Sequence, residues 1–401
     1  MHDKIRAIVR LPNILRSFLK DETISGKLIL VFAVLALVVV NSPLQQIYED
    51  FWLTDLGIGL GGWDLSQDLR HWVNEGLMAF FFLVVGLEVK RELIVGELKE
   101  RKKALLPVGA AIGGMIVPAV IYLALNLPSD AVRGWGIPIA TDIAFAVAVL
   151  ALLGRRAPLP LKLFLLTLAI VDDIGAIFVI ALFYAEIIHF GYLFASVALV
   201  LAMWLLRKRL YGRLWVFLAL GTLLWVTTHL SGIHASIIGA VLGLMAPIPK
   251  SNRGPSVARR LERLFLPIST FIALPIFAFA NAGVVLSFAA FTEPGAATIM
   301  WGIILGLVVG KAVGITGAAW LLTRSGVAEL PEGVRWRHMI GVGLIAGIGF
   351  TVSIFITELA FAGNPQLIEV AKISIFIASA LSALLGTAVL LTAKRRLGRQ
   401  R

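Results

Sequence analysis

No cysteine occurs in the chain, which excludes disulfides, thiol nucleophiles and thiolate metal ligands and leaves the redox compartment unread. Charge is scarce as well. Asp, Glu, Lys and Arg make up 15% of the 401 residues, against about a quarter in a soluble globular chain. The apolar stretches are continuous and do not alternate with polar residues, which removes a membrane β-barrel. The amino-terminal stretch MHDKIRAIVRLPNILRSFLKDETISGK has no apolar core ahead of a cleavage site, so it does not read as a signal peptide. Its basic, amphipathic pattern suits a short helix lying on the cytoplasmic membrane surface. Apolar residues dominate instead, at 59%, with a mean hydropathy of +0.92. The chain reads as an all-α polytopic membrane protein.

A helix crossing the bilayer needs roughly 20 apolar residues. Twelve windows qualify, at about 25–41, 71–89, 105–125, 134–153, 159–184, 190–206, 212–229, 232–247, 264–285, 297–322, 338–361 and 367–393. The formal net charge of +12 would suit nucleic-acid binding, but the basic residues cluster at the ends of these windows. Lys99, Arg101, Lys102 and Lys103 fall on one side, with Arg155 and Arg156, Arg207 to Arg213, Arg259 and Arg260, Arg335 and Arg337, and the tail from Lys394. The other side carries Glu49, Asp50, Asp55, Asp64, Asp130, Glu186 and Glu293. The positive-inside rule then places both termini in the cytoplasm, which an even number of spans requires. The first exterior loop, YEDFWLTDLGIGLGGWDLS, mixes aromatic and β-favouring residues with glycines and reads as a small extracytoplasmic β-hairpin at about 48–67.

Three stretches carry charge in the middle of a window: Asp142 in GIPIATDIAFAV, Asp172 and Asp173 in LAIVDDIGAIF, and Lys311 in GLVVGKAVGIT. Each such charge costs about 2.5–3.5 kcal/mol at the bilayer centre, so the set belongs in a protein interior or a water-filled cavity. A buried ion pair that only locks helices together would account for Lys311 and one aspartate, but one lysine cannot neutralise three carboxylates. Neighbouring helical residues point about 100° apart, so Asp172 and Asp173 do not share one partner easily. One would then turn to Lys311 and the other to Asp142. Two carboxylates close together in a low dielectric hold either protons or a cation. Backbone signals fall at the same depth. A Pro precedes the Thr141–Asp142 pair, and Gly347 and Gly349 stand beside Thr351 and Ser353. Interrupted spans in corresponding positions of two halves point to a transporter site at the midplane. Windows three to five and ten to twelve would be the halves.

With these residues assembled, the sequence resembles the NhaA-type sodium/proton antiporters, through FFLVVGLEVKREL, AAIGGMIVPA, ATDIAFA, AIVDDIGAI, SGIHAS, FAFANAGV, GKAVGI and GIGFTVSIFI. The resemblance covers nearly the whole chain. It implies twelve transmembrane helices in an inverted repeat, with the discontinuous helices 4 and 11 crossing. It also implies an ion-binding core at about 105–184 and 297–393 and an interface bundle at about 25–89 and 190–285. The location implied is the bacterial inner membrane, and the assembly a homodimer formed through the hairpin. The activity implied is electrogenic exchange of about two protons for one sodium or lithium, regulated by pH, with no cofactor beyond the transported ions. Asp142 and Asp173 would carry the cation and Thr141 an additional oxygen. Asp172 would gate access or pair with Lys311, which is either a proton carrier or only a structural partner. Glu88, Arg91, Glu92, His234 and Glu262 match positions where the family senses pH, Glu88 to Glu92 and Glu262 at a cytoplasmic funnel. Where relatives can show histidines after the glutamate of that last segment, this chain has Arg263 and Leu266, which bears on the pH threshold and not on exchange.

Three other readings compete. An intramembrane aspartyl protease also uses two membrane aspartates, but there is no Gly-x-Gly-Asp and the lysine has no role in that chemistry. A proton- or sodium-coupled symporter for an organic anion would want a solute-sized cavity with further polar groups. A channel relies on rings of equivalent residues from symmetric subunits, and these charges are asymmetric.

Overall fold

The computed structural model describes residues 24–393 apart from 61–62, 128, 186–187, 211, 248–255 and 286–294. Most of the basic amino-terminal segment expected on the membrane surface lies outside the described residues. The chain is mainly helical. It begins with α1 (Ile24–Val40) and α2 (Gln45–Trp52), which meet at 116°. Strands β1 (Asp55–Leu60) and β2 (Trp63–Asp68) then pair antiparallel, with Asp55 opposite Asp68 and Leu60 opposite Trp63. The expected hairpin over 48–67 is therefore too long at its start, because residues 48–52 are helical. Tyr48 and Trp52 lie one turn apart on the buried face of α2, where their rings pack edge-on against Phe279 at 5.5 and 6.1 Å. The Tyr48 hydroxyl donates to Phe279 O at 2.5 Å. Aromatic residues that suit a strand by composition thus serve helix packing here. The Gly61–Gly62 turn lies outside the described residues.

After the hairpin, α3 (Leu69–Trp72) runs through a π turn, Val73–Leu77, into α4 (Met78–Ile94). Next come α5 (Arg101–Asn126), a 3-10 helix (Asp130–Ile139), α6 (Ile143–Leu152) and α7 (Leu159–Phe183). Three shorter helices follow: α8 (Phe190–Leu206), α9 (Leu214–Leu230) and α10 (Ser236–Met245). Then α11 (Val257–Ile268) continues through a π turn, Ser269–Ala273, into α12 (Leu274–Asn281). In the same way α13 (Ala296–Ile304) passes through a π turn, Leu305–Gly310, into α14 (Lys311–Arg324). The chain ends with α15 (Trp336–Ile345), α16 (Phe350–Ala360) and α17 (Pro365–Thr392). Among the described residues five helices are long and apolar enough to cross a membrane, or up to eight if each sharply bent pair is one span. Large apolar side chains such as Phe178, Leu182, Phe194 and Trp215 stay exposed, as they do where lipid is the solvent.

Lipid gives no hydrophobic drive for helix association, so close backbone packing carries much of it. Two glycine seams do this. A Cβ on Gly239 of α10 would lie 1.9 Å from Ala79 O of α4. A Cβ on Gly314 of α14 would lie 2.1 Å from Gly113 O of α5. The second seam fixes the helix that begins with Lys311. Gly314→Val is therefore expected to cost at least the ~1–3 kcal/mol typical of overpacking, read as a fall in the melting temperature of detergent-solubilised protein. Gly317→Val, at a position where a Cβ meets nothing within 4 Å, is the control that should melt near the parent.

Candidate functional site

Two chain breaks face each other at the centre. The first lies between the 3-10 helix and α6, where Ala140 to Asp142 are extended and the axes bend by 41°. The second lies between α15 and α16, with a bend of 48°. The breaks exchange hydrogen bonds: Asp142 N donates to Ile348 O at 2.7 Å. The Thr141 hydroxyl lies 2.8 Å from both Ala346 O and Asp172 Oδ2. Carbonyls left open at the end of α15 thus find partners in the other break, as buried backbone polar groups must. Gly347 lets the second break pack closely on the π turn Leu305–Gly310, since a Cβ there would lie 2.2 Å from Leu307 O. Neither Gly347 nor Gly349 has a positive φ, so their role is close packing and not an unusual backbone conformation.

Asp142 sits between two helix starts. Its Oδ1 accepts from Phe145 N of α6 at 3.1 Å, and its Oδ2 accepts from Thr351 N of α16 at 3.0 Å. The Thr351 hydroxyl also donates to Oδ2, at 2.5 Å. Helix starts carry partial positive charge, and one carboxylate answers two of them. Lys311 instead pairs with a carboxylate, that of Asp172. Thr351, flagged in the sequence only as a neighbour of the glycines, proves to be the residue that holds Asp142.

Asp172 and Asp173 of α7 do point apart. Lys311 Nζ donates to Asp172 Oδ2 at 2.6 Å, with both side chains fully buried. Lys311 directly follows the π turn Leu305–Gly310, a feature common at functional sites. Thr141 lies beside this pair, so its hydroxyl serves Asp172 and the α15 end in this state. Asp173 turns the other way, and its Oδ2 has no hydrogen-bond partner among the described residues. Together with Asp142, Thr351 and Glu88 it lines a cavity of about 40 Å³.

The five residues matched to pH sensing do not form one cluster. Glu88 of α4 reaches the cavity of Asp142 and Asp173, so it is no surface topology charge. Arg91, on the same helix face nearer its basic end, donates from Nη1 to Glu262 Oε1 of α11 at 3.0 Å, with both side chains about two-fifths exposed. Glu92 follows on the same turn of α4. His234 stands apart from all four, in a cavity it shares with Asp68 and His71 near the end of the hairpin. Its Nδ1 lies 2.9 Å from Glu75 Oε1 and its Nε2 lies 2.7 Å from Tyr184 O. A carbonyl only accepts, so Nε2 donates and a second proton must lie between Nδ1 and Glu75. Glu75 also accepts from Ser236 N at 3.1 Å and sits in the π turn Val73–Leu77. That cavity, of about 720 Å³, is lined by Arg70, Arg133, Glu75 and Glu358 among others, and Glu358 pairs with the buried Lys372 at 2.6 Å. Glu75, Glu358 and Lys372 fall near window ends, where charge is expected, so the sequence does not single them out.

Comparison with known sequences follows the same residues. Residues 16–390 match the family described as Na+/H+ antiporter 1. The Na+/H+ antiporter NhaA 1 of Clostridium beijerinckii is 42% identical over 391 residues, covering 97% of each chain. The Na+/H+ antiporter NhaA of Rhodospirillum rubrum is 46% identical over 394 residues, covering 94% of this chain and 97% of its own. That of Shewanella frigidimarina is 43% identical over 377 residues, covering 93% and 94%.

Proposed function

The chain belongs to the Na+/H+ antiporter 1 family of multi-pass membrane transporters, which are not enzymes, and from that premise we propose that Asp142 and Asp173 hold either protons or one alkali cation and deliver them to opposite faces of the membrane. The observation that carries this reading is the cavity. Lys311 compensates Asp172, while Asp173 keeps an unpartnered oxygen beside Asp142. A volume of about 40 Å³ exceeds the ~10–15 Å³ that one water needs. It admits a bare or partly hydrated sodium or lithium ion and is far below the ~300–1,000 Å³ of a site for an organic solute. The cavity at the aspartates therefore has no room for an organic anion.

The charge count supports exchange of two protons for one sodium. With both aspartates protonated the pair is neutral; with both ionised around one Na+ it carries one negative charge. Exchange of two protons for one sodium therefore moves one net charge per cycle. The two breaks crossing at the midplane of a twelve-helix inverted repeat would let the core, at about 105–184 and 297–393, move against the bundle at about 25–89 and 190–285. The basic loops belong in the cytoplasm and the hairpin outside, where it would join two protomers in the bacterial inner membrane. Glu88, Arg91, Glu92 and Glu262 would then face the cytoplasm, where protonation regulates entry, while His234 with Glu75 would sit on the exterior path.

Proteoliposomes carrying a pH gradient and a trapped pH dye test the reading. Sodium and lithium are expected to dissipate the gradient and potassium to leave it. The rate is expected to differ with and without a potassium-valinomycin clamp on the membrane potential; equal rates would remove the electrogenic count.

A further inference from the structure

The cavity beside Asp173 is not walled by the core alone. Ser25 of α1 and Thr270 of the π turn between α11 and α12 also line it. Ser25 is 1% exposed and its Oγ has no hydrogen-bond partner among the described residues. A buried hydroxyl is ordinarily bonded, so an orphan one on a residue that lines the same cavity as two carboxylates marks a place for a ligand. The seating of α1 supports this. A Cβ on Gly26 would lie 3.1 Å from Ala144 O, so this end of α1 rests on the first turn of α6, two residues from Asp142. Thr270 is 7% exposed. It sits in one of three π turns among the described residues; the other two carry Glu75 and precede Lys311. In each, the irregular turn accompanies a buried polar group.

We infer that Ser25 and Thr270 donate neutral oxygen ligands to the cation held by Asp142 and Asp173. The inference rests on the ion-site reading above and adds to it. Hard cations gather about six oxygens, more than two carboxylates supply. A hydroxyl attracts the cation through its dipole and adds no negative charge. It therefore strengthens sodium binding without strengthening the competing protons to the same degree. Both residues lie in the segments assigned to the interface bundle, so the ion would be gripped from both sides of the moving boundary, and its departure would be coupled to their separation.

The test measures the sodium dependence of exchange in proteoliposomes for Ser25→Ala, Ser25→Thr, Thr270→Val and Thr270→Ser beside Asp173→Asn. Losing one neutral ligand is expected to raise the KM for sodium about five-fold in Ser25→Ala and Thr270→Val, with kcat held within two-fold. The hydroxyl-preserving Ser25→Thr and Thr270→Ser are expected to restore the parent KM. Should Ser25→Ala fail to fold, the Thr270 pair carries the test by itself. An unchanged KM in Ser25→Ala and Thr270→Val, with exchange lost in Asp173→Asn, overturns the inference and leaves the carboxylate site standing. A raised KM that the hydroxyl-preserving variants do not restore also overturns it, because the effect is then steric. Exchange that persists in Asp173→Asn overturns the site reading itself.

Discussion

Asp173→Asn is expected to end sodium-driven proton movement. In everted vesicles holding an acid interior, added sodium should leave the dye quenched, where the parent protein restores its fluorescence. The change is nearly isosteric, so packing around α7 is kept and one charge is lost. A cation about 4 Å from a carboxylate gains about 4 kcal/mol at an effective dielectric of 20. At ~1.4 kcal/mol per decade that is near a thousand-fold in affinity. Asn also cannot take up and release a proton, so the exchange loses a cargo in both directions. Its fold is not at risk for the same reason: Asp173 Oδ2 has no partner to lose. Melting near the parent temperature together with absent exchange is the expected pair of results. Parent-like exchange would show that the ion goes elsewhere. Asp142→Asn should abolish exchange too, but with a loss of stability, because its carboxylate holds Phe145 N and Thr351 N at the starts of α6 and α16.

The contrast between these two aspartates marks what a linear sequence discloses here. Charge inside an apolar run is costly wherever the run folds, so Asp142, Asp172, Asp173 and Lys311 are visible without coordinates. Their partners are not, because partners depend on helix rotation and on contacts between residues far apart in the chain. Neighbouring positions on α7 must diverge, yet only packing decides that Asp172 takes Lys311 and that Asp173 faces the cavity. Thr351 shows the same limit: it stands in plain view next to Gly349, but its bond to Asp142 joins residues 209 positions apart. Boundaries were hidden for another reason. Glu75, Glu358 and Lys372 fall near the ends of apolar windows, where charge is expected and nothing in the sequence singles it out. The window 232–247 includes His234 in a short span, whereas His234 lies just ahead of α10 (Ser236–Met245), and nothing in the sequence sets it next to Glu75, which lies 159 residues earlier. Tyr48 and Trp52 favour strands by composition, which extends the expected hairpin too far, although their i, i+4 spacing puts both on one helical face.

Lys311→Ala is expected to destabilise the protein more than any other single change at the site. Removing one partner of a buried ion pair strands the other, at about 3–5 kcal/mol, and here both partners are fully buried at 2.6 Å. Asp172→Asn added to Lys311→Met removes both charges while keeping side-chain volume. The double variant should recover most of the loss, since replacing a whole buried pair by neutral groups is often close to neutral. Melting temperatures of Lys311→Met, Asp172→Asn and the double variant in detergent then form a cycle whose interaction energy isolates the pair; additive losses would mean the two charges do not see each other. The same double variant separates the two roles open to Lys311. If Asp142 and Asp173 carry both exchanged protons, exchange in the double variant stays sensitive to a potassium-valinomycin clamp, whatever its rate. If Lys311 carries one of them, the variant trades one proton for one sodium, moves no net charge and loses that sensitivity. Stability and voltage dependence therefore report on different properties of one lysine, and the Asp142–Asp173 account stands only if the second survives when the pair is gone.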